Sequence, residues 1–307
     1  MGTPDLSARV LRGLIDGGHE VVLCVTQPDK QKGRGKHIQT SPVKDVALSH
    51  GIEISQPLRI KEDKELLERL KALKPDISVV AAFGQILPKE VLDVPRFGSV
   101  NVHASLLPEL RGASPIQHAI LEGKEETGVT IMQMGPGLDD GDMISKRAVK
   151  IGNMNFEELH DALAEAGTEL LLETLPEIEN GTAVRVPQDG SLSTYAPLIS
   201  RQDGHLDFSM GPDKIINRIR AFDPWPGAFA VYNEKGDAMK FWKAEALDLD
   251  TSEEDQGRII AVDNKSFTVA CGGKAIKVLE VQVPNKKRMP TEDYLRGNSL
   301  EKGLLFR

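Results

Sequence analysis

Asn101 and His103 stand two residues apart at the end of the apolar run Phe97-Gly98-Ser99-Val100, and Leu138-Asp139-Asp140-Gly141-Asp142 follows further along the chain. Residues i and i+2 of a strand share a face, so an amide and an imidazole would project together from the strand's carboxyl end. Open α/β sheets place their ligands at that end. An aspartate from a second loop can orient the imidazole. The trio suits acyl transfer: Asn101 and His103 to hold the oxygen of a tetrahedral intermediate, and Asp139 to keep the ring charged or to move a proton. Taken alone, an Asn-x-His pair is more often a plain strand terminus, so the chemistry rests on what surrounds it.

The surroundings are specific. Asn101-Val102-His103-Ala104-Ser105-Leu106-Leu107-Pro108, Arg111-Gly112-Ala113-Ser114-Pro115-Ile116, Gly128-Val129-Thr130-Ile131-Met132 and Leu138 to Asp142 occur in that order. This series resembles the formyltransferases that use 10-formyltetrahydrofolate. Gly2-Thr3-Pro4-Asp5, Thr26-Gln27-Pro28-Asp29 and Arg220-Ala221-Phe222-Asp223-Pro224-Trp225-Pro226 extend the resemblance nearly end to end. It implies that Asn101, His103 and Asp139 are catalytic and that Ser105, Leu106, Leu107 and Pro108 line the folate site. It also implies the branch of the family that formylates methionyl-initiator-tRNA, with 10-formyltetrahydrofolate as co-substrate and no metal. The family begins with a hydrophobic strand before Gly-Thr-Pro, whereas here Met1 directly precedes Gly2. The first strand is therefore expected to be missing, leaving a gap between the strands read at Glu20–Thr26 and Ile77–Ala82. Such a chain is expected to be insoluble or inactive until the strand is restored, because a central strand is hydrogen-bonded on both sides.

The elements that position these residues follow from periodicity. Leu6, Val10, Leu11, Leu14 and Ile15 predict a helix ending at Gly17-Gly18, and Val21–Val25 a short strand. A helix from Pro42, a helix over Leu66–Leu73 and a strand over Ile77–Ala82 continue the alternation, which predicts a mostly parallel, Rossmann-like α/β sheet. Phe156, Leu159, Leu163, Gly167, Leu170, Leu171, Leu175 and Ile178 outline a long amphipathic helix expected to pack back on it. The periodicity fades over 182–203, among Pro187, Gly190, Ser191 and Pro197, which reads as a linker crossing the surface. Beyond a helix at Pro212–Phe222, five short strand runs between Ala228 and Val281 predict a small barrel. The resemblance makes it the OB-like tRNA-binding barrel of this family. The expected domains are thus 1–181 catalytic, 182–203 linker and 204–307 barrel.

The 307 residues carry a net charge of −8, which by itself argues against an RNA partner; distribution decides otherwise. Over 204–307 the Lys and Arg residues equal the Asp and Glu residues, so the deficit lies in the first part. Asp29–His37 holds Lys30, Lys32, Arg34 and Lys36 in a glycine-containing loop, and Asn285 precedes Lys286, Lys287 and Arg288. Charge runs usually just face water. The resemblance assigns Arg34 and Lys36 to a loop that enters the tRNA acceptor stem, and the second run suits phosphate contact. Lys214, Arg218 and Arg220 recur on one helix and fit either an RNA face or ordinary exposed charges. Trp225, between two prolines, reads as a packing corner.

Metal binding is not supported: Asp139, Asp140 and Asp142 lack the alternation and closing Glu of a calcium loop. Gly33-x-Gly35 lacks the rest of a dinucleotide fingerprint. Cys24 and Cys271 form no framework and read as buried thiols of a cytoplasmic protein. No run approaches the ~20 apolar residues of a membrane span. A monomer is expected. Two other readings stay open. A formyltransferase for a small amine, such as a nucleotide sugar or glycinamide ribonucleotide, or a formyltetrahydrofolate hydrolase, is disfavoured by loop 29–37 and the barrel. A non-catalytic RNA-binding protein is disfavoured by the intact trio.

Overall fold

The computed structural model describes residues 1–32 and 37–307. The chain divides into two compact units, the first comprising Met1–Pro115, Glu126–Lys150 and His160–Pro197, the second Ile116–Glu125, Ile151–Leu159 and Leu198–Arg307.

In the first unit, helix α1 (Asp5–Asp16) buries Leu6, Val10 and Leu11 and stops at Gly17. Strand β1 (Cys24–Val25) follows. Helix α2 (Pro42–Ser49) starts where the Ser41 hydroxyl accepts from the Lys44 N–H at 3.1 Å, with proline in the first turn. Strand β2 (Ile54–Ser55) pairs in parallel with β1. Helix α3 (Lys64–Leu73) is capped by Asp63. Strands β3 (Ser78–Val80) and β4 (Ser99–His103) are parallel. After the short strand β5 (Arg111–Gly112), β6 (Glu126–Gln133) and β7 (Met143–Lys150) complete a sheet of order β3-β4-β6-β7.

This sheet departs from the parallel expectation. β6, an interior strand of this sheet, runs antiparallel to β4 on one side and to the edge strand β7 on the other. Strands β1–β2 and β3–β4–β6–β7 form separate sheets, and Gly2 is bridged in parallel to Ala81. Met1 and Gly2 lie between them. The Gly2 N–H donates to Val25 O at 3.0 Å, the Met1 ammonium donates to Val79 O at 2.6 Å, and Met1 O accepts from Ala81 N–H at 3.0 Å. Burial lowers the pKa of that ammonium.

Helix α4 (Phe156–Glu179) has the predicted extent and packs on the sheet. Gly167 makes the close approach possible, since a Cβ there would stand 2.9 Å from Val102 Cγ1 and 3.1 Å from Val129 Cγ1. Because Val102 faces this helix, Asn101 and His103 face the opposite side of β4. Residues 182–197, read as linker, are stitched to the first unit: Met143 and Val186 exchange backbone hydrogen bonds at 2.9 and 2.8 Å, and β8 (Tyr195–Ala196) pairs in parallel with β5.

The second unit holds helix α5 (Pro212–Ala221) and strands β9 (Ala228–Val231), β10 (Ala238–Leu247), β11 (Ile259–Val262), β12 (Phe267–Cys271), β13 (Lys274–Gln282) and β14 (Met289–Pro290). The antiparallel order is β9-β10-β13-β12-β11, with β14 on β13. Residues 303–307 close the barrel. Ile259 N–H donates to Leu304 O at 2.8 Å, while Val231 and Arg307 exchange bonds at 2.7 and 2.8 Å, joining the two edge strands. Phe208, Phe241, Phe267 and Phe306 fill the centre, with Phe241 and Phe306 edge-to-face at 5.2 Å.

Candidate active site

Strand β4 is buried along its whole length. Asn101 and His103 are only 8% and 6% exposed, so their polar atoms need partners within the protein. Loop 134–142 leaves β6 beside Val100 and folds back across their face, helped by Gly141, where a Cβ would meet Gln133 O at 1.9 Å. That return brings Asp139, and neither Asp140 nor Asp142, to the pair. Asp139 Oδ1 accepts from Asn101 Nδ2 at 3.4 Å, and Oδ2 lies 3.7 Å from His103 Nδ1. The Gly112 N–H donates to the same Oδ2 at 2.9 Å. His103 Nε2 is 3.0 Å from Leu110 O. A protonated ring therefore has an acceptor at Nε2 and a carboxylate facing Nδ1.

The three residues predicted to be catalytic are thus brought together. The predicted folate segment lies immediately after them. Ser105 is buried with its hydroxyl donating to Glu109 O at 2.6 Å, and Leu107 is buried with its N–H donating to Thr130 Oγ1 at 3.1 Å. Thr130 in turn donates to Ser105 O at 2.7 Å, and Lys146 donates to Leu107 O. Leu106 and Pro108 are half-buried beside them.

Sequence reasoning missed four contributors. Leu110 and Gly112 act through backbone groups, and Arg111 and Gln188 support the acidic loop. It also passed over the loop that follows β3. Phe83 O accepts from Thr3 Oγ1 at 3.2 Å and Gln27 Nε2 at 3.1 Å, so the loops after Gly2, after β1 and after β3 converge where open α/β sheets hold ligands. The signal available was Gly84 after an apolar run, with φ +82°.

The basic residues fare differently. Arg34 and Lys36 lie outside the described residues. The stem of their loop, Lys30–Lys32 paired with His37–Gln39, is described. At its base Asp29 receives Lys44 Nζ at 2.6 Å and Gln56 Nε2 at 2.9 Å, bonds that hold its carboxyl below the usual aspartate range. Lys286 and Lys287 are exposed. Arg288 is engaged: Nη1 donates to both oxygens of Asp223 at 3.0 and 2.8 Å, Nε sits 2.8 Å from Glu280, and the guanidinium lies over the Trp242 ring. Arg218 donates to Asp203 O and Arg220 to Met154 O and Gly152 O, whereas Lys214 is exposed. Trp225 is not a packing corner; it is 53% exposed, because Phe222, Asp223 and Pro226 take the inward positions of that loop.

A Rossmann-like sheet that presents an amide and an imidazole on one face, with a carboxylate brought to them by the loop after β6, has the groups that acyl transfer needs. A formyl transferase profile matches residues 1–175, and a formyl transferase C-terminal domain profile matches residues 198–299. The chain belongs to the formyl transferase family. A curated methionyl-tRNA formyltransferase of Clostridioides difficile is 45% identical over 100% of this chain and 98% of its own, and that of Bacillus subtilis is 48% identical over 99% and 95%. A solved N-formyltransferase from Helicobacter canadensis, complexed with folinic acid and dTDP-3-aminofucose, shares the fold. Its TM-score is 0.65 at 18% identity, covering 90% of this chain and 96% of that one.

Proposed function

We propose that this enzyme transfers the formyl group of 10-formyltetrahydrofolate to the α-amino group of methionyl-initiator-tRNA, the step that readies that tRNA for translation initiation. The observation that carries the acceptor is that the 45% identity to a methionyl-tRNA formyltransferase runs through both units, the barrel included. The neutral amine attacks the formyl carbon, the carbonyl oxygen takes up charge, and the bond to the folate nitrogen breaks. Asn101 Nδ2 and the Nδ1 edge of protonated His103 stabilise that oxygen. The 3.7 Å between Nδ1 and Asp139 is too long for a direct hydrogen bond, so the donor remains free for the oxyanion. Asp139 supplies the balancing charge, accepts the proton that the amine sheds and passes it on to the departing folate nitrogen, so that the formyl amide and tetrahydrofolate leave neutral at those atoms. Ser105, Leu106, Leu107 and Pro108 line the folate subsite, held in shape by Thr130 and Lys146.

The tRNA contacts in this reading are Arg34 and Lys36 from the first unit and Lys286 and Lys287 from the barrel, all suited to phosphates rather than bases. In this reading the first unit, which includes residues 182–197, carries catalysis together with the Arg34 and Lys36 contacts, and the second unit carries the remaining RNA contacts. The enzyme acts as a cytoplasmic monomer and needs no metal. No described helix is long and apolar enough to cross a membrane. The test is formylation of methionyl-tRNA against glycinamide ribonucleotide and free methionine. His103→Ala is expected to slow transfer on the order of 100-fold or more with donor binding retained, and Asp139→Asn to behave alike. Preference for a small amine would overturn the acceptor. Normal turnover by His103→Ala would remove the histidine from the chemistry.

A further inference from the structure

Asp139 reaches its partners from an unusual backbone conformation. Its φ of +49° lies in the left-handed region, uncommon outside glycine although aspartate tolerates it better than most residues. The side chain bonded to this stretch of backbone is Gln188. Its Nε2 donates both hydrogens to the acidic loop, to Asp139 O and to Gly141 O, each at 2.8 Å. Its Oε1 accepts from Arg111 Nε at 3.0 Å and Nη2 at 2.7 Å. Arginine has donors only, so it fixes which end of the amide faces the loop. Arg111 also sits between the two backbone groups that contact the site, Leu110 O on His103 and Gly112 N–H on Asp139.

We infer that Gln188, locked by Arg111, is a positioning residue that sets the placement of Asp139 against His103 through the backbone of residues 139 and 141. The inference rests on the formyl-transfer reading of the same site. A primary amide is the side chain that meets these demands: an arginine fork on its oxygen and two carbonyls on its nitrogen. Glutamate in its place keeps the Arg111 pair but turns an oxygen toward two carbonyl oxygens, which pushes the loop away. Asparagine falls one methylene short.

The experiment compares the full chain with Gln188→Glu, Gln188→Ala, Arg111→Ala and the double Ala variant. It reads kcat and KM for donor and acceptor, melting temperature, and the ring NMR signals of His103. Gln188→Glu and Gln188→Ala are expected to lower kcat by roughly 10- to 100-fold, the scale of small displacements of a catalytic group, with KM and melting temperature near those of the parent. The double variant is expected to be no slower than Gln188→Ala alone, since Arg111 acts through Gln188. Parent-like kcat in Gln188→Glu, or a loss that follows the melting temperature or KM, would overturn the inference. Should the parent formylate no methionyl-tRNA, the acceptor assignment falls on its own. The ring signals then decide the positioning: a shift in Gln188→Glu supports it, and unmoved signals overturn it.

Discussion

Arg288→Ala separates structure from RNA contact in a run of three adjacent cations. Asp223 is 4% exposed and, among the described residues, only Arg288 donates to its carboxylate, through Nη1 to both oxygens. Removing one partner of a buried pair costs about 3–5 kcal/mol, because the remaining charge stays desolvated. Here the Arg288 side chain is 40% exposed, so water can partly reach the vacated site, and about 2 kcal/mol is the appropriate share for Asp223. The pair with Glu280, whose side chain is 25% exposed, and the contact with the Trp242 ring at 5.0 Å add roughly 1 kcal/mol between them. At ~4 °C per kcal/mol for a unit of this size, the total of about 3 kcal/mol lowers the melting temperature by roughly 10 °C.

Scanning calorimetry of the full chain measures that shift. Adding Asp223→Asn to Arg288→Ala is expected to recover part of the loss, since an uncharged amide tolerates burial better than a lone carboxylate. The salt dependence of tRNA binding gives the other half. Lys286→Ala and Lys287→Ala are each expected to reduce the slope of log affinity against log salt by about 1 at unchanged melting temperature. Arg288→Ala, assayed where it is folded, should leave that slope alone because two carboxylates already neutralise its charge. A variant with parental melting temperature and a slope reduced like those of the lysines would refute the reasoning and return Arg288 to the RNA-facing set.

Two further outcomes follow from titrating groups. Asp203 and Asp207 are held below the usual aspartate range first by the hydroxyls of Ser200 and Ser209, and Asp263 first by the Lys265 N–H. Their folded pKa values lie below the unfolded ones. The stability they confer is therefore complete above about pH 4 and is lost as pH falls through the depressed values. The melting temperature should decline below about pH 4, and a rise on acidification from pH 5 to about pH 3 would contradict this. Burial pushes the Cys271 thiol up to about 12 and raises that of Cys24 as well. Iodoacetamide should label neither cysteine in the native protein near neutral pH and both in denaturant; rapid native labelling would show that one of them is accessible.

What the sequence makes legible is local and periodic. Asn101 and His103 could be placed on one face because a strand has period two and the run before them is apolar, and α4 could be bounded because eight apolar positions recur at helical spacing. Gln188 could not be found that way. It lies in a stretch rich in Pro, Gly and Ser, and its partners are 77 residues upstream at Arg111 and 49 residues upstream at Asp139. Leu110 O and Gly112 N–H are backbone groups, which every residue type supplies alike. Arg288 and Lys286 look equivalent as charges, and only the carboxylate of Asp223, 65 residues away, tells them apart. The barrel closure escaped for a related reason: residues 303–307 form too short an apolar run to read as a strand, and their partners at Ile259 and Val231 are set by the fold. Contacts at long sequence separation are those whose entropy cost a fold meets last. They also join the catalytic aspartate to its support, so substitutions at Gln188, which the sequence leaves inconspicuous, should affect turnover more than those at the conspicuous neighbours Asp140 and Asp142.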